Sequence, residues 1–100
     1  MSLAITPRTD GDVLTLFFVG RLETTTAPTF QTILDGIPSE INSLVLDFEK
    51  LDYTSSAGLR CLLIAHKAFA DKGGLKLVHV CKEVLEVLEM TGFTDILKIE

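Results

Sequence analysis

The sequence predicts a single α/β domain built on a mixed sheet of about five strands, and three observations support this. The chain has 100 residues, which suits one domain spanning residues 1–100. Short apolar segments alternate with longer amphipathic ones in the order β-β-α-β-α-β-α-β. Strands that alternate with helices form parallel pairs through right-handed crossovers, whereas two adjacent strands at the start form an antiparallel hairpin.

The first two strands are predicted to form this hairpin. Residues 3–8 and 13–19 are the two strands, and the turn between them contains an Asp-Gly pair that tolerates a positive φ. The second strand is apolar on both faces, which indicates a central strand, and Gly20 is expected to end it.

The remaining elements are predicted from hydrophobic periodicity and from the glycine and proline residues that end them. The predicted strands lie at residues 44–48, 75–80 and 96–99. The predicted helices lie at about residues 27–37, 56–72 and 82–91. A loop at residues 52–55 joins the third strand to the longest helix.

Composition excludes several classes of function. The net charge of −5 argues against nucleic acid or anionic lipid as the main partner, since both require a basic surface. No apolar run is long enough to span a membrane, and the first seven residues lack the features of a secretory signal. The two cysteines lie within regular segments and are expected to be buried thiols. We therefore expect a cytoplasmic protein.

The sequence contains no recognisable catalytic or metal-binding constellation. It has neither a Gly-x-Ser-x-Gly motif nor a glycine-rich phosphate loop, and a hydrolase using Ser56 would lack a base. His66 is expected at the border of the core, and His79 at an outer strand position. The spacing between Cys61 and His66 does not align them on one helical face. We therefore expect a protein that is not an enzyme, with no catalytic residue, metal or cofactor.

Three consecutive hydroxyl residues, Thr54, Ser55 and Ser56, precede the longest helix. The free N–H groups of a helix start can bind an anion. Ser56 is at the predicted N-cap, where it could contribute about 1 kcal/mol as a cap or carry a phosphate. Arg60, four residues later, could pair with that phosphate, and Gly58 would let another backbone approach. The residues alone leave capping and modification both open.

The segment from Asp47 to Arg60 resembles the signature of STAS domains, and in particular of the small bacterial anti-sigma factor antagonists. The resemblance extends to residues 20–23, 73–78 and 84–93. It implies helices packed mainly on one face of the sheet. It also implies partner switching in the regulation of transcription. The unphosphorylated antagonist binds an anti-sigma factor that is often a serine kinase, phosphorylation ends the complex, and a serine phosphatase resets it.

The resemblance also assigns individual residues. Aligned on Gly58 and Leu59, the serine that the family phosphorylates corresponds to Ser56. Ser55 replaces the family's preceding aspartate and is therefore a rival acceptor, and Glu23 stands where the family has aspartate. The implied partner-binding residues are Glu23, Thr24, Thr54, Ser55, Ser56, Gly58 and Arg60. The alternative is a STAS module that is never phosphorylated and serves as a scaffold in a transport or signalling complex.

Overall fold

A computed structural model describes residues 2–100, and its five strands form one sheet in the order β1-β2-β3-β4-β5. The strands are β1 (Leu3–Asp10), β2 (Val13–Leu22), β3 (Ser43–Thr54), β4 (Gly74–Val78) and β5 (Lys98–Ile99). The helices are α1 (Ala27–Asp35), α2 (Ser56–Phe69) and α3 (Lys82–Met90), and a 3-10 helix (Phe93–Asp95) precedes β5. β1 is antiparallel to β2, and the other three pairs are parallel. The predicted order of elements and the mixed sheet are confirmed.

The core lies on one face of the sheet. Alternate side chains of the three central strands are buried there: Leu14, Leu16, Phe18, Leu44, Leu46, Phe48, Leu75 and Leu77. Apolar residues of all three helices join the same core, and the Phe18 ring meets Phe30 of α1 edge to face at 5.0 Å. The side chains between them on β2 are only half-buried or exposed. β2 is therefore central as predicted, but the prediction that both of its faces are buried is wrong, because the helices cover one face.

The hairpin has the predicted turn, but β2 continues beyond its predicted end. Asp10 pairs with Val13, so Gly11, with φ +63°, lies in a two-residue loop. Gly20 lies inside β2 at φ +120°, where a β-carbon would overlap the Ser2 carbonyl group. This glycine therefore permits close approach of β1 without ending the strand.

β3 is longer than predicted because it contains two irregularities in its pairing with β2. One residue lies between Phe17 and Val19, whereas two lie between their partners Asp47 and Lys50. A second shift follows, since Asp52 has no partner between the paired residues on either side. These bulges interrupt the alternation of buried and exposed residues, but the strand continues to Thr54. The predicted loop at residues 52–55 is therefore wrong.

Several other boundaries also differ from the prediction: β1 continues to Asp10, and α1 ends at Asp35. α2 ends at Phe69 because the following residues form tighter i→i+3 hydrogen bonds, such as Lys72 N–H to Phe69 O at 3.0 Å. β4 ends at Val78, so His79 is exposed beyond the strand, with a left-handed φ of +56°. β5 is limited to two residues because Ile96 and Leu97 belong to the turn after the 3-10 helix, where both donate N–H groups to the Phe93 carbonyl oxygen.

The two cysteines are free thiols, as expected. Cys61 is buried on α2 as predicted, but the prediction that Cys81 is buried is wrong, since it is half-buried before α3. Burial raises the pKa of the Cys61 thiol, and the nearby charge of Arg60 opposes that rise only partly. Within residues 2–100, no helix combines the length and the apolar character needed to cross a membrane.

Candidate functional site

The candidate site is formed where β2 and β3 end side by side. Leu22 and Thr54, the last residues of these parallel strands, are register partners. The Ser55 N–H group donates a hydrogen bond to the Leu22 carbonyl oxygen at 2.9 Å. Both strands lead directly into helices, so the pairing brings the β2–α1 connection, with Glu23 and Thr24, beside the start of α2. This is the sheet edge at which α/β proteins commonly bind ligands.

The start of α2 differs by one residue from the prediction. Ser55 is the N-cap, with extended backbone angles of −101° and 179°, and Ser56 is the first helical residue. The Leu59 N–H group donates to the Ser55 carbonyl oxygen at 3.0 Å and closes the first turn. No side-chain oxygen caps the helix, and its first turn contains no acidic residue. The predicted assignment of Ser56 as the N-cap is wrong.

The three hydroxyl groups at this junction have different environments. Thr54 is 2% exposed, and its Oγ1 donates to the Ser55 carbonyl oxygen at 3.3 Å. The Ser55 Oγ atom is buried and has no hydrogen-bond partner among residues 2–100. Ser56 is exposed. Of the three, Ser56 is therefore the hydroxyl residue that an enzyme can reach without opening the fold.

Gly58 lies on the inner side of the first turn of α2. It is buried, and a β-carbon would overlap the Thr54 hydroxyl group and lie 2.7 Å from Cγ of Leu22. This glycine allows the helix to pack directly on the strand ends. The sequence-based reason for it, space for a partner's backbone, is wrong because the position faces the core.

Arg60 is exposed one turn beyond Ser56. Together with the half-buried Ala57 it lines one wall of a groove between α1 and α2, with a volume of about 310 Å³. Thr24 and Pro28 lie on the opposite wall, and Ile64, which is 41% exposed, extends the groove along α2. The groove thus lies between Thr24 and Arg60, two of the predicted partner-binding residues, close to the start of α2.

A network at the end of β2 holds the β2–α1 connection in place. The buried Thr26 hydroxyl donates to the Arg21 carbonyl oxygen at 2.6 Å and accepts the Glu23 N–H group at 2.9 Å. The Arg21 side chain is 3.4 Å from the Glu23 carboxylate and stacks over the Tyr53 ring at 4.2 Å. Sequence analysis did not identify Thr26 or Tyr53 as site residues. The sequence shows three consecutive threonines before Pro28, but it does not indicate which of their hydroxyl groups is buried.

The mixed sheet, the helices on one face and the serine at the start of α2 define the class of protein. The chain belongs to the STAS domain family, whose sequence model matches residues 4–100. The resemblance found in the sequence is therefore confirmed.

Individual relatives are consistent with this assignment. The chain is 42% identical over 57 residues to BtrV of Bordetella bronchiseptica, which is named as an anti-sigma factor antagonist. That match covers 56% of this chain and 49% of BtrV, so the chain matches about half the length of this relative. A Thermotoga maritima structure named as an anti-sigma factor antagonist has a TM-score of 0.86 at 23% identity, and the match covers 95% of this chain and 84% of that one.

SpoIIAA of Bacillus has been solved with and without phosphate. The phosphorylated form matches with a TM-score of 0.69 at 14% identity, over 97% of this chain and 91% of that chain. The unphosphorylated form has a TM-score of 0.77 at 15% identity, over 97% and 88%. At these identities the structures establish a shared fold.

Proposed function

We propose that this chain is an anti-sigma factor antagonist that binds an anti-sigma factor when unphosphorylated and is released when Ser56 is phosphorylated. Two relatives support this proposal. BtrV is named as an anti-sigma factor antagonist, and SpoIIAA has a phosphorylated form. The observation that carries it is the exposure of Ser56 at the first helical position of α2, beside a serine whose hydroxyl is buried. In this role the chain acts by binding and not by catalysis.

Ser56 is a better phosphate acceptor than its rival Ser55. A kinase has to place the hydroxyl oxygen in line with the γ-phosphate of ATP, which requires an accessible oxygen. The Ser56 residue is exposed, whereas the Ser55 Oγ atom is enclosed between α2 and the strand ends. Transfer to Ser55 would therefore require the first turn of α2 to open.

The fold can accommodate a phosphate on Ser56. The first N–H groups of α2 have no side-chain cap, and no carboxylate lies in the first turn to repel an anion. Arg60, on the next turn, supplies a positive charge at the helical spacing that brings side chains together. The phosphate would thus change the surface and leave the fold intact.

The same phosphate would end a tight complex. Phosphorylation adds about −1.5 to −2 charges at neutral pH. One added charge about 4 Å from a partner carboxylate costs about 4 kcal/mol at an effective dielectric constant near 20. That cost corresponds to nearly three powers of ten in affinity. A serine phosphatase would restore binding by removing the charge.

The predicted partner-binding residues divide into two groups. The first group has accessible surface at the sheet edge and in the groove, and we propose that it contacts the anti-sigma factor. Its members are Glu23, Thr24, Ser56 and Arg60. Thr54, Ser55 and Gly58 lie beneath that surface, so their contribution is to position α2.

The test is phosphorylation by the cognate anti-sigma kinase with ATP, followed by mapping of the modified residue by mass spectrometry. We expect the phosphate on Ser56, no modification of Ser56→Ala, and full modification of the matched variant Ser55→Ala. Binding of wild-type protein to the kinase should be lost after phosphorylation, whereas the Ser56→Ala complex should persist in ATP.

A phosphate on Ser55 or Thr54 would contradict the assignment of Ser56. Absence of any modification, together with capture of a transporter or scaffold complex and no kinase, would instead favour the STAS module that is never phosphorylated.

A further inference from the structure

A second cluster of chemically active side chains lies where β3 and β4 run side by side. Asp47 and Glu49 belong to β3, and His79 directly follows Val78, the register partner of Asp47. One ligand atom from each of the three side chains lies within 4.8 Å of the other two. Asp47 alternates along β3 with Leu46 and Phe48, which are buried in the core. The cluster therefore lies on the face of the sheet opposite the helices.

The Asp47 carboxylate is the fixed centre of the cluster. Its side chain is only 12% exposed. One carboxylate oxygen accepts the Glu49 backbone N–H group at 3.0 Å, and the other lies 3.0 Å from Nδ1 of His79. Glu49 lies two residues further along β3, and residues at that spacing in a strand share one face of the sheet. The carboxylate is thus oriented by the backbone before any ligand arrives.

Asp47 also lacks a permanent counter-charge. Within residues 2–100, no lysine or arginine forms an ion pair with it, and its one basic neighbour is an imidazole. Carboxylates that are largely removed from water are ordinarily paired with a cation or bound to a metal. Asp47 is such a carboxylate, and within residues 2–100 it has no lysine or arginine partner, which favours a bound cation.

We propose that Asp47, Glu49 and His79 bind a divalent metal ion of the borderline class represented by Zn²⁺. One imidazole nitrogen with two carboxylate oxygens is a ligand set that selects such an ion over Mg²⁺, which prefers oxygen alone. Ligands at about 2.1 Å from a tetrahedral zinc ion lie about 3.4 Å apart. The Asp47–His79 pair is already near that spacing, and the exposed Glu49 side chain is free to move toward it.

Sequence analysis could not find this site. Its residues come from β3 and from the turn after β4, which are far apart along the chain, and the sequence analysis assigned His79 to the strand itself. The spacing of Cys61 and His66, which excluded a metal pair on one helix, says nothing about residues on different strands. The register of β3 with β4 is what brings His79 to the two carboxylates.

The test is isothermal titration of the whole chain with ZnCl₂ near neutral pH. We expect binding of one ion, weakened about tenfold or more by Asp47→Asn and by His79→Asn. Asparagine is chosen at position 79 because it tolerates the left-handed backbone there. His66→Gln and Cys81→Ser are the matched controls, since they remove the other histidine and the less buried thiol, and both should bind as the wild type does. Magnesium should bind far more weakly.

A second measurement keeps the proposal falsifiable if a variant is poorly folded. Adding Zn²⁺ to the ¹⁵N-labelled wild type should shift amide signals of residues 47–49 and 79 first. No zinc binding by the wild type, shifts centred on the cysteines, or undiminished binding by both folded variants would each overturn the proposal. None of these outcomes affects the assignment of Ser56.

Discussion

The helices α1 and α2 begin at the same edge of the sheet, and each follows a hydroxyl residue, but the two hydroxyl groups have different environments. Thr26, before α1, has its hydroxyl group in hydrogen bonds at 2.6 and 2.9 Å to the backbone of Arg21 and Glu23. The Ser55 Oγ atom, before α2, is buried and has no hydrogen-bond partner in the described residues 2–100. One helix start is therefore tied to the sheet by its side chain, whereas the other depends on packing and backbone hydrogen bonds. Neither hydroxyl group caps the N–H groups of its own helix, so those of α2 are available to an anion on Ser56.

The largest expected effect comes from the packing that holds α2 in place. Gly58→Val would force a branched side chain into the Thr54 hydroxyl group and into Leu22. We expect urea denaturation to show a loss of about 3 kcal/mol in the free energy of unfolding, at the upper end of the range for overpacking.

Gly36 supplies the matched control at the end of α1. A β-carbon there would meet only carbonyl oxygens at 3.7 and 3.8 Å, so Gly36→Ala should cost little. If the Gly58 variant were as stable as the Gly36 variant, α2 would not depend on close contact with the strand ends.

A smaller effect is expected from removing the paired hydroxyl group before α1. Thr26→Val keeps the shape of the side chain but leaves the Arg21 carbonyl and the Glu23 N–H group without their partner. The expected loss is about 2 kcal/mol in thermal or urea unfolding. Thr26→Ser, which keeps the hydroxyl group, should recover most of that loss. Equal stability of the valine and serine variants would show that the network contributes little.

A negative charge at the start of α2 should have a smaller effect of opposite sign. Ser56→Asp places a carboxylate at the first helical position, where the helix dipole favours it. We expect the free energy of unfolding to rise by about 0.5 kcal/mol at low salt and to return toward the wild-type value at high salt. Ser56→Asn is the neutral control. A loss of stability in the aspartate variant alone would mean that the fold does not tolerate an anion there.

The order of elements could be predicted from the sequence because hydrophobic periodicity records which side of each element faces the core. The end of β3 could not, because its two bulges place Phe48, Leu51 and Thr54 in the core at intervals of three residues. That spacing does not match the period of a regular strand, so a loop was the simpler interpretation. The error carried into the site, since a strand that extends to Thr54 moves the N-cap from Ser56 to Ser55.

Other features of the site depend on contacts between distant residues. The family resemblance assigned Ser56 as the acceptor but left Ser55 as a rival. Which of them is enclosed depends on the packing of α2 against Leu22, and nothing local encodes that contact. The Thr26 network is different, because its partners Arg21 and Glu23 are close in sequence and meet it where the chain turns between β2 and α1.

The smallest expected effect is the one that tests the contrast between the two helix starts. Ser55→Ala removes a hydroxyl group that has no hydrogen-bond partner in the described part of the chain, so no acceptor or donor is left unpaired. We expect the free energy of unfolding to stay within about 0.5 kcal/mol of the wild-type value. The substitution breaks no hydrogen bond, and it removes the cost of burying an unpaired hydroxyl group. Urea denaturation of Ser55→Ala and Thr26→Val under the same conditions compares how much each hydroxyl group contributes to the free energy of unfolding. A loss above about 1 kcal/mol would match the stabilisation that an N-cap side chain provides. It would mean that the Ser55 side chain caps α2 in solution. The Ser55 hydroxyl would then compete with a phosphate on Ser56 for the same N–H groups.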